Sequence, residues 1–259
     1  MRRYMHIRDH LKEYKRQRLG VLEDGEWNGK KYGHILPSKL RAMNLIDAGF
    51  LQELQRTMSE LSPKIHRGFA HLNSSQALAF NLFVPLVAVH KLEDLLGILR
   101  VEDHVRESCL EHVEIPLEGT NFDFYIRGEH HAYYFEVKYT EESFGRATAD
   151  ANHREKYRQV YEPLLRTTCS VTENEFFARY QLWRNISYSA DGIVVFVFPK
   201  FRIDLAKKVE SARQYAIHPD NIKTLYVDDV VEMACTNDQA RLNRHFNEFT
   251  DKYLNIDGI

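Results

Sequence analysis

Two carboxylates and a lysine near the middle of the chain have the residue types and the spacing for hydrolysis of a phosphodiester bond. Asp123 is followed, after twelve intervening residues, by Glu136, Val137 and Lys138. Two carboxylates on neighbouring strands can hold a hard divalent cation, Mg²⁺ or Mn²⁺, which takes oxygen ligands. A lysine beside them can orient a water and stabilise the charge that develops on a phosphate. We call Asp123, Glu136 and Lys138 the acid–lysine set, and it predicts metal-assisted hydrolysis.

Three strand-like segments position this set. They run from Leu110 to Leu117, from Asn121 to Arg127 and from Ala132 to Tyr139, and turn residues separate them, which predicts an antiparallel meander. Successive side chains of a strand point to opposite faces. One face of the last two segments is therefore apolar, made by Phe122, Phe124, Ile126, Tyr133, Phe135 and Val137. Because both apolar faces meet the same core, the opposite face receives the whole acid–lysine set.

Two interpretations of this charged face remain open. Charged groups under a helix layer are costly unless they are paired or bind a metal, which favours a metal site. The alternative is an ordinary surface ion pair on an edge hairpin, which would carry no chemistry.

The order Asp123, then Glu136-Val137-Lys138, resembles the motif of the PD-(D/E)XK nuclease superfamily, although Phe122 stands where the name-giving proline would be. The resemblance extends from about Ser74 to Val231 and is strongest from Thr120 to Gly145. It implies a core with a helix, a three-strand meander, a further helix and a further strand. It also implies that Asp123 and Glu136 are metal ligands, and that all three members of the acid–lysine set are catalytic.

Further metal ligands are implied by the same resemblance, because many members of the superfamily place another acid on the helix before the meander. Glu93 lies in such a helical segment, and Glu111 and Glu114 lie in the first strand-like segment. The simpler interpretation of each is an ordinary surface acid.

Cations and amides after the motif are candidates for binding the nucleic acid. The predicted helix from about Asp150 to Leu165 contains Arg154 and Arg158, and the predicted helix from Glu173 to Tyr188 contains Gln181 and Arg184. A solvated outer helix face is the alternative explanation for all four.

The remaining elements predict an α/β fold. The run Ile193 to Phe198 is apolar without alternation, as expected of a strand that is buried on both faces. We therefore predict a restriction-endonuclease-like three-layer sandwich with a mixed central β-sheet flanked by helices. Residues 1–68 are predicted to form a mainly helical N-terminal extension, and residues 69–259 the nuclease domain.

The composition leads to expectations about the cellular location, the attraction of DNA and the cofactors. The formal net charge is −2 and the three cysteines are far apart, so we expect local rather than global attraction of DNA, no disulfide framework, and a cytoplasmic location. The absence of a long apolar run and of a Walker-type loop predicts no membrane and no nucleotide cofactor. Because cutting both strands of a duplex often uses two sites, a homodimer is a further expectation.

The predicted function is that of a metal-dependent nuclease that hydrolyses phosphodiester bonds of DNA, as a restriction-type endonuclease rather than an exonuclease. Two alternatives on the same fold are a structure-selective repair nuclease and a catalytically silent nucleic-acid-binding protein. The intact acid–lysine set argues against the silent protein, because loss of activity usually erases one member.

Overall fold

Two compact units make up the chain, one formed by residues 1–98 with 226–259 and the other by residues 99–225. The computed structural model describes residues 2–57, 65–113, 121–236 and 239–256. The turn residues Glu118 and Gly119, which separate the first two strand-like segments of the sequence, lie outside the described residues. The predicted boundary between residues 68 and 69 stays a prediction, because a unit of dense contacts need not be a domain that folds alone.

Eleven α-helices and seven strands lie in the described residues. The helices are α1 Arg2–Gln17, α2 Ala48–Thr57, α3 Ser75–Ala88, α4 Leu92–Ile98, α5 Ala151–Lys156, α6 Glu162–Thr168, α7 Glu173–Ala178, α8 Tyr180–Ile186, α9 Ile203–Arg213, α10 Val227–Cys235 and α11 Ala240–Tyr253. The strands are β1 Gly25–Trp27, β2 Lys30–Tyr32, β3 Val105–His112, β4 Phe122–Gly128, β5 Ala132–Val137, β6 Ile193–Phe198 and β7 Ile222–Tyr226. A π-helical turn, Tyr157–Tyr161, joins α5 to α6.

The first unit is mainly helical and is centred on α3. Residues 76–86 of this helix are all buried, as expected of a helix that is apolar on every side. Its N-cap is Ser74, whose hydroxyl accepts from the amide of Ala77. Asn81 in α3 donates to the carbonyl of Asn44 and to the hydroxyl of Tyr253, so this buried amide is used in the core of the unit.

No single described helix is long and apolar enough to cross a bilayer. Helices α3 and α4 meet that test of length and hydropathy only as a pair, and the pair is bent by 120°.

The second unit is built on a mixed sheet of five strands in the order β3-β4-β5-β6-β7. Strands β3, β4 and β5 are antiparallel neighbours, and β6 is parallel to β5. This sheet, flanked by helices, has the predicted restriction-endonuclease-like α/β architecture. The predicted three-strand antiparallel meander is confirmed, but the predicted start of its first strand was wrong, since β3 begins at Val105 rather than Leu110.

Strand β6 confirms the prediction of a doubly covered strand. All six residues of Ile193–Phe198 are buried, and Val195 and Phe196, which point to opposite faces, have no exposed surface. The sheet is therefore covered on both sides at this strand. Its hydrogen-bonded neighbour β5 lies between β4 and β6, in the interior of the sheet.

The predicted helix from Glu173 to Tyr188 is two helices. Arg179 has φ −134° and ψ 49°, which is outside the helical region, and it separates α7 from α8. The break interrupts the helical repeat, so residues on the two helices do not share one continuous face.

The hairpin between β4 and β5 is held by the buried carboxylate of Asp103. Its oxygens accept hydrogen bonds of 2.9–3.1 Å from the backbone amides of His104, Glu129, His130 and His131 and from the hydroxyl of Tyr133. Gly128 is needed beside it, because a Cβ atom at that position would lie 2.1 Å from Asp103 Oδ2. Burial alone would raise the pKa of Asp103, but the Tyr133 hydroxyl and the backbone amides outweigh it and hold the pKa below its usual value.

We expect Asp103→Ala to lower the free energy of unfolding by about 1–3 kcal/mol, because it leaves the buried hydroxyl of Tyr133 unpaired. A carboxylate with a depressed pKa stabilises the fold fully above its unfolded pKa, near 3.9, and loses that effect as the pH falls through its folded pKa. Urea unfolding at pH 7 and near pH 3 should therefore show a smaller difference between wild type and variant at the acidic pH. Asp220→Ala, at an exposed acid, is the matched control, and an equal loss of stability in both variants would contradict the role of Asp103.

Candidate active site

The acid–lysine set lies on one face of the sheet, as the alternation predicted. Phe124 of β4 pairs with Phe135 of β5, so the next position along brings Asp123 opposite Glu136 on the adjacent strand. Lys138 follows β5 two residues after Glu136, and its amide donates to the carbonyl of Val197 in β6 at 2.8 Å. The two acids are thus on neighbouring strands with the lysine on the same side.

Burial decides against the edge-hairpin alternative. Glu136 is 3% exposed, Lys138 is 5% exposed and Asp123 is half-buried. Strand β5 contains Glu136 and leads directly to Lys138, and it has β4 on one side and β6 on the other. The Glu136–Lys138 pair is therefore an interior pair, and its desolvation has to be offset within the site.

Direct contacts orient both carboxylates. Glu136 Oε1 lies 2.6 Å from Lys138 Nζ, and Glu136 Oε2 accepts from Asn185 Nδ2 of α8 at 3.0 Å. Asp123 Oδ2 accepts from the amide of Val137 at 2.7 Å. Each carboxylate oxygen can accept more than one contact, so both groups keep lone pairs for another ligand.

The site brings more acidic than basic side chains together. The pKa of Asp123 is raised well above its usual value, first by burial and then by the charge of Glu136, while Lys138 and the Val137 amide act in the opposite direction. Burial would lower the pKa of Lys138, but Glu136, Glu141 and Asp123 outweigh it and raise that pKa. Lys138 is therefore held as a cation among acids, and it does not neutralise all of them.

The donor atoms fit a hard divalent cation. Carboxylate oxygens are the ligands that such cations prefer, and an added positive charge would relieve the repulsion that raises the pKa of Asp123. Asn185 supports this fit, because its Oδ1 is buried and has no hydrogen-bond partner among the described residues. Two carboxylates, with waters and a phosphate completing the shell, suffice for Mg²⁺.

The proposed third acids are placed very differently. Glu93 is an exposed residue of α4 in the first unit, and Glu114 lies outside the described residues. Glu111 of β3 lies between two residues that pair with Phe124 and Phe122, hence across from Asp123, and its charge contributes to the raised pKa of Asp123. Among the described residues, however, no three His, Cys, Asp or Glu side chains are grouped so that they could hold a metal ion.

Arg154 and Arg158 lie on the helical stretch after the site. Arg154 donates to the carboxylate of Glu173 and to the carbonyl of Ala149, so its guanidinium is already engaged within the protein. Arg158 is exposed in the π-helical turn. Their contact with nucleic acid stays a prediction.

Gln181 and Arg184 lie on α8, the helix that brings Asn185 to Glu136. The backbone amide of Gln181 donates to the carbonyl of Phe144 at 3.0 Å. This hydrogen bond attaches the start of α8 to the segment that follows β5. The guanidinium of Arg184 lies 5.6 Å from the centre of the Tyr180 ring. Helix α8 is thus part of the site's surroundings, whereas contact of Gln181 and Arg184 with nucleic acid stays a prediction.

Three supporting residues were missed in the sequence. Asn185 orients Glu136, and Glu141 accepts from the amide of Tyr139 at 2.8 Å. Arg202 is fully buried, and its guanidinium donates to the carbonyls of Tyr139 and Glu141 and pairs with Asp204. An arginine three residues after the proline that closes the buried strand was the available signal for Arg202.

Comparison with known proteins gives one family. No curated protein and no solved structure is similar enough to the chain to count as a match. One family model, described as "Restriction Endonuclease associating with ARP", matches residues 8–254. That match includes most of the first unit, the whole second unit and the whole acid–lysine set. The chain therefore belongs to the family of restriction endonucleases associating with ARP.

Proposed function

We propose that the chain is a metal-dependent nuclease of the PD-(D/E)XK type that hydrolyses phosphodiester bonds of DNA as a restriction-type endonuclease. Membership of a restriction endonuclease family supports this proposal. The observation that carries it is the geometry of the site, in which Asp123 and Glu136 face each other on neighbouring strands with Lys138 beside them. A purely structural ion pair would need one acid, not two.

Each member of the set has a role in this proposal. Asp123 and Glu136 hold the cation, Mg²⁺ or Mn²⁺, which when bound lowers the pKa of a water and neutralises charge on the phosphate. Lys138, held at 2.6 Å by Glu136, orients the attacking water and stabilises charge on the phosphorane. Asn185 fixes the side chain of Glu136, so the ligand geometry exists before the substrate binds.

Partners are part of the proposal. DNA is the substrate, and a homodimer would provide one site for each strand of a duplex. The description of the family names an association with ARP, and we extend that association to this chain through the family alone.

The test is incubation of the purified protein with supercoiled plasmid and Mg²⁺ or Mn²⁺, with EDTA as the control. We expect nicked and linear products that EDTA prevents, and because a closed circle has no ends, such products identify an endonuclease. Binding of the plasmid without cleavage under either metal would contradict the proposal and favour the catalytically silent alternative.

A further inference from the structure

A groove in the second unit is lined by four cationic side chains that come from three separate segments. It has a volume of about 830 Å³ and is lined by Arg146, Arg179, Lys207, Lys208, Glu142, Ser143, Ser211 and Ala178. We call it the basic groove. None of the ion pairs formed within the described parts of the chain involves Arg146, Arg179 or Lys207. In a chain with a net charge of −2, this is a local concentration of positive charge, with four cations against one acid, Glu142, in the lining.

The groove is joined to the candidate active site by the chain that leaves β5. Arg202 holds the carbonyls of Tyr139 and Glu141, and Lys208 Nζ donates to the carbonyl of Glu142 at 2.9 Å. The segment that begins with Lys138 is thereby fixed as it passes from the site into the wall of the groove.

Helix α8 gives the spacing between groove and site. Arg179 stands at its N-terminal end and Asn185, which touches Glu136, lies six residues later. At 1.5 Å per residue the two positions are about 9 Å apart along the helix. Since one strand of B-DNA advances about 3.4 Å per nucleotide, a strand cut at the acid–lysine set would reach the groove within a few nucleotides.

The lining indicates which part of a nucleic acid would lie there. Serine hydroxyls, arginines and lysines are the usual side-chain partners of phosphate oxygens. As far as the structure describes the lining, it contains no aromatic ring on which a base could stack. The chemistry therefore suits a sugar–phosphate backbone, whose recognition is independent of sequence.

We propose that the basic groove binds the phosphate backbone of the substrate DNA beside the scissile bond. This inference rests on the proposed nuclease function, and it assigns backbone binding to Arg146, Arg179, Lys207 and Lys208. Glu142 is the acid in the lining and opposes the bound phosphates, so its charge limits the affinity.

The test measures binding without cleavage, by the fluorescence anisotropy of a short labelled DNA duplex in EDTA at several salt concentrations. We compare wild type with Arg146→Glu/Lys207→Glu, which changes two exposed residues, and with Lys30→Glu/Lys31→Glu, which makes the same charge change on exposed β2. The loss of two phosphate contacts should reduce the magnitude of the slope of log Kobs against log salt by about 2. The ratio of the affinities at 50 and 200 mM salt should therefore fall about tenfold. Glu142→Gln should tighten binding, and circular dichroism checks that all variants fold.

Each outcome decides one question. Equal affinity and salt slope in the groove variant and the β2 variant would overturn the groove proposal, even if wild type cuts DNA. Groove-dependent binding without cleavage under Mg²⁺ or Mn²⁺ would sustain the groove and refute the nuclease proposal. Failure of wild type to bind the duplex at 50 mM salt would overturn the groove proposal. An acidic protein surface would then be the next ligand of the groove to test.

Discussion

Asp123→Asn is expected to abolish metal-dependent cleavage and, at the same time, to leave the metal-free protein at least as stable as wild type. The substitution removes a negatively charged ligand, so the cation loses one of the two carboxylates assigned to it. It also removes a charge that burial and Glu136 both disfavour, as the raised pKa of Asp123 indicates. The amide oxygen of asparagine can still accept from the backbone amide of Val137, so the local strand geometry is kept.

This combination separates catalysis from folding. Supercoiled plasmid with Mg²⁺ measures cleavage, and urea unfolding in EDTA measures stability, for the variant and for the control Asp191→Asn at an exposed acid. A loss of activity caused by misfolding would appear as lower stability, the opposite of the expected result. Cleavage that survives Asp123→Asn would show that the activity belongs to a contaminant or to another site.

Glu136→Gln should also abolish cleavage, but with a cost in stability. Glu136 is the partner of Lys138 at 2.6 Å in the interior of the sheet, and removing one partner of a buried pair costs up to about 3–5 kcal/mol, of which the charges of Glu141 and Asp123 offset a part. The two acids, equal in their proposed role, should thus differ in their effect on folding.

The faces of β4 and β5 could be predicted from the sequence because strand alternation has a period of two and both strands have one clearly apolar face. The same rule failed at the first strand of the meander. There Glu111 has a positive φ of 57°, which breaks the alternation near the end of β3. Acidic residues are scattered through that segment, and its apolar residues do not fall on one face. The sequence pattern therefore does not show which residues of the first strand point to which face of the sheet.

The supports of the site could not be predicted for a different reason. Asn185 reaches Glu136 across 49 residues of sequence, and Arg202 reaches the carbonyl of Tyr139 across 63 residues. Local periodicity indicates which side of a helix is buried, but not which strand that side meets. The break at Arg179 likewise depends on packing, since the residues before and after it are all compatible with one helix.

Lys138→Met should reduce the cleavage rate by roughly 10²–10³-fold, the usual loss when one positioned electrostatic group is removed from an active site. Methionine keeps most of the length of the lysine side chain without its charge, so it fills most of this nearly inaccessible position. Lys138→Arg should restore little activity, because a planar guanidinium fork does not replace a compact ammonium group. Single-turnover cleavage of plasmid under saturating Mg²⁺ measures both variants, and an unchanged rate in Lys138→Met would refute the role of the lysine in the chemical step.

Lys138→Met also tests whether Lys138 and the bound metal ion both offset the charge of the carboxylates in the site. Lys138 is the cation in contact with Glu136, so without it the buried carboxylates of the metal-free protein should repel each other and Tm should fall. A ligand that binds only the folded state stabilises it by RT ln(1 + [L]/Kd), and a site with one cation fewer attracts Mg²⁺ more strongly. Titration with Mg²⁺ should therefore raise the Tm of Lys138→Met by more than it raises that of wild type, and should leave that of Asp123→Asn nearly unchanged. Equal shifts in all three proteins would mean that Mg²⁺ binds elsewhere, and the assignment of the metal to Asp123 and Glu136 would fall with it.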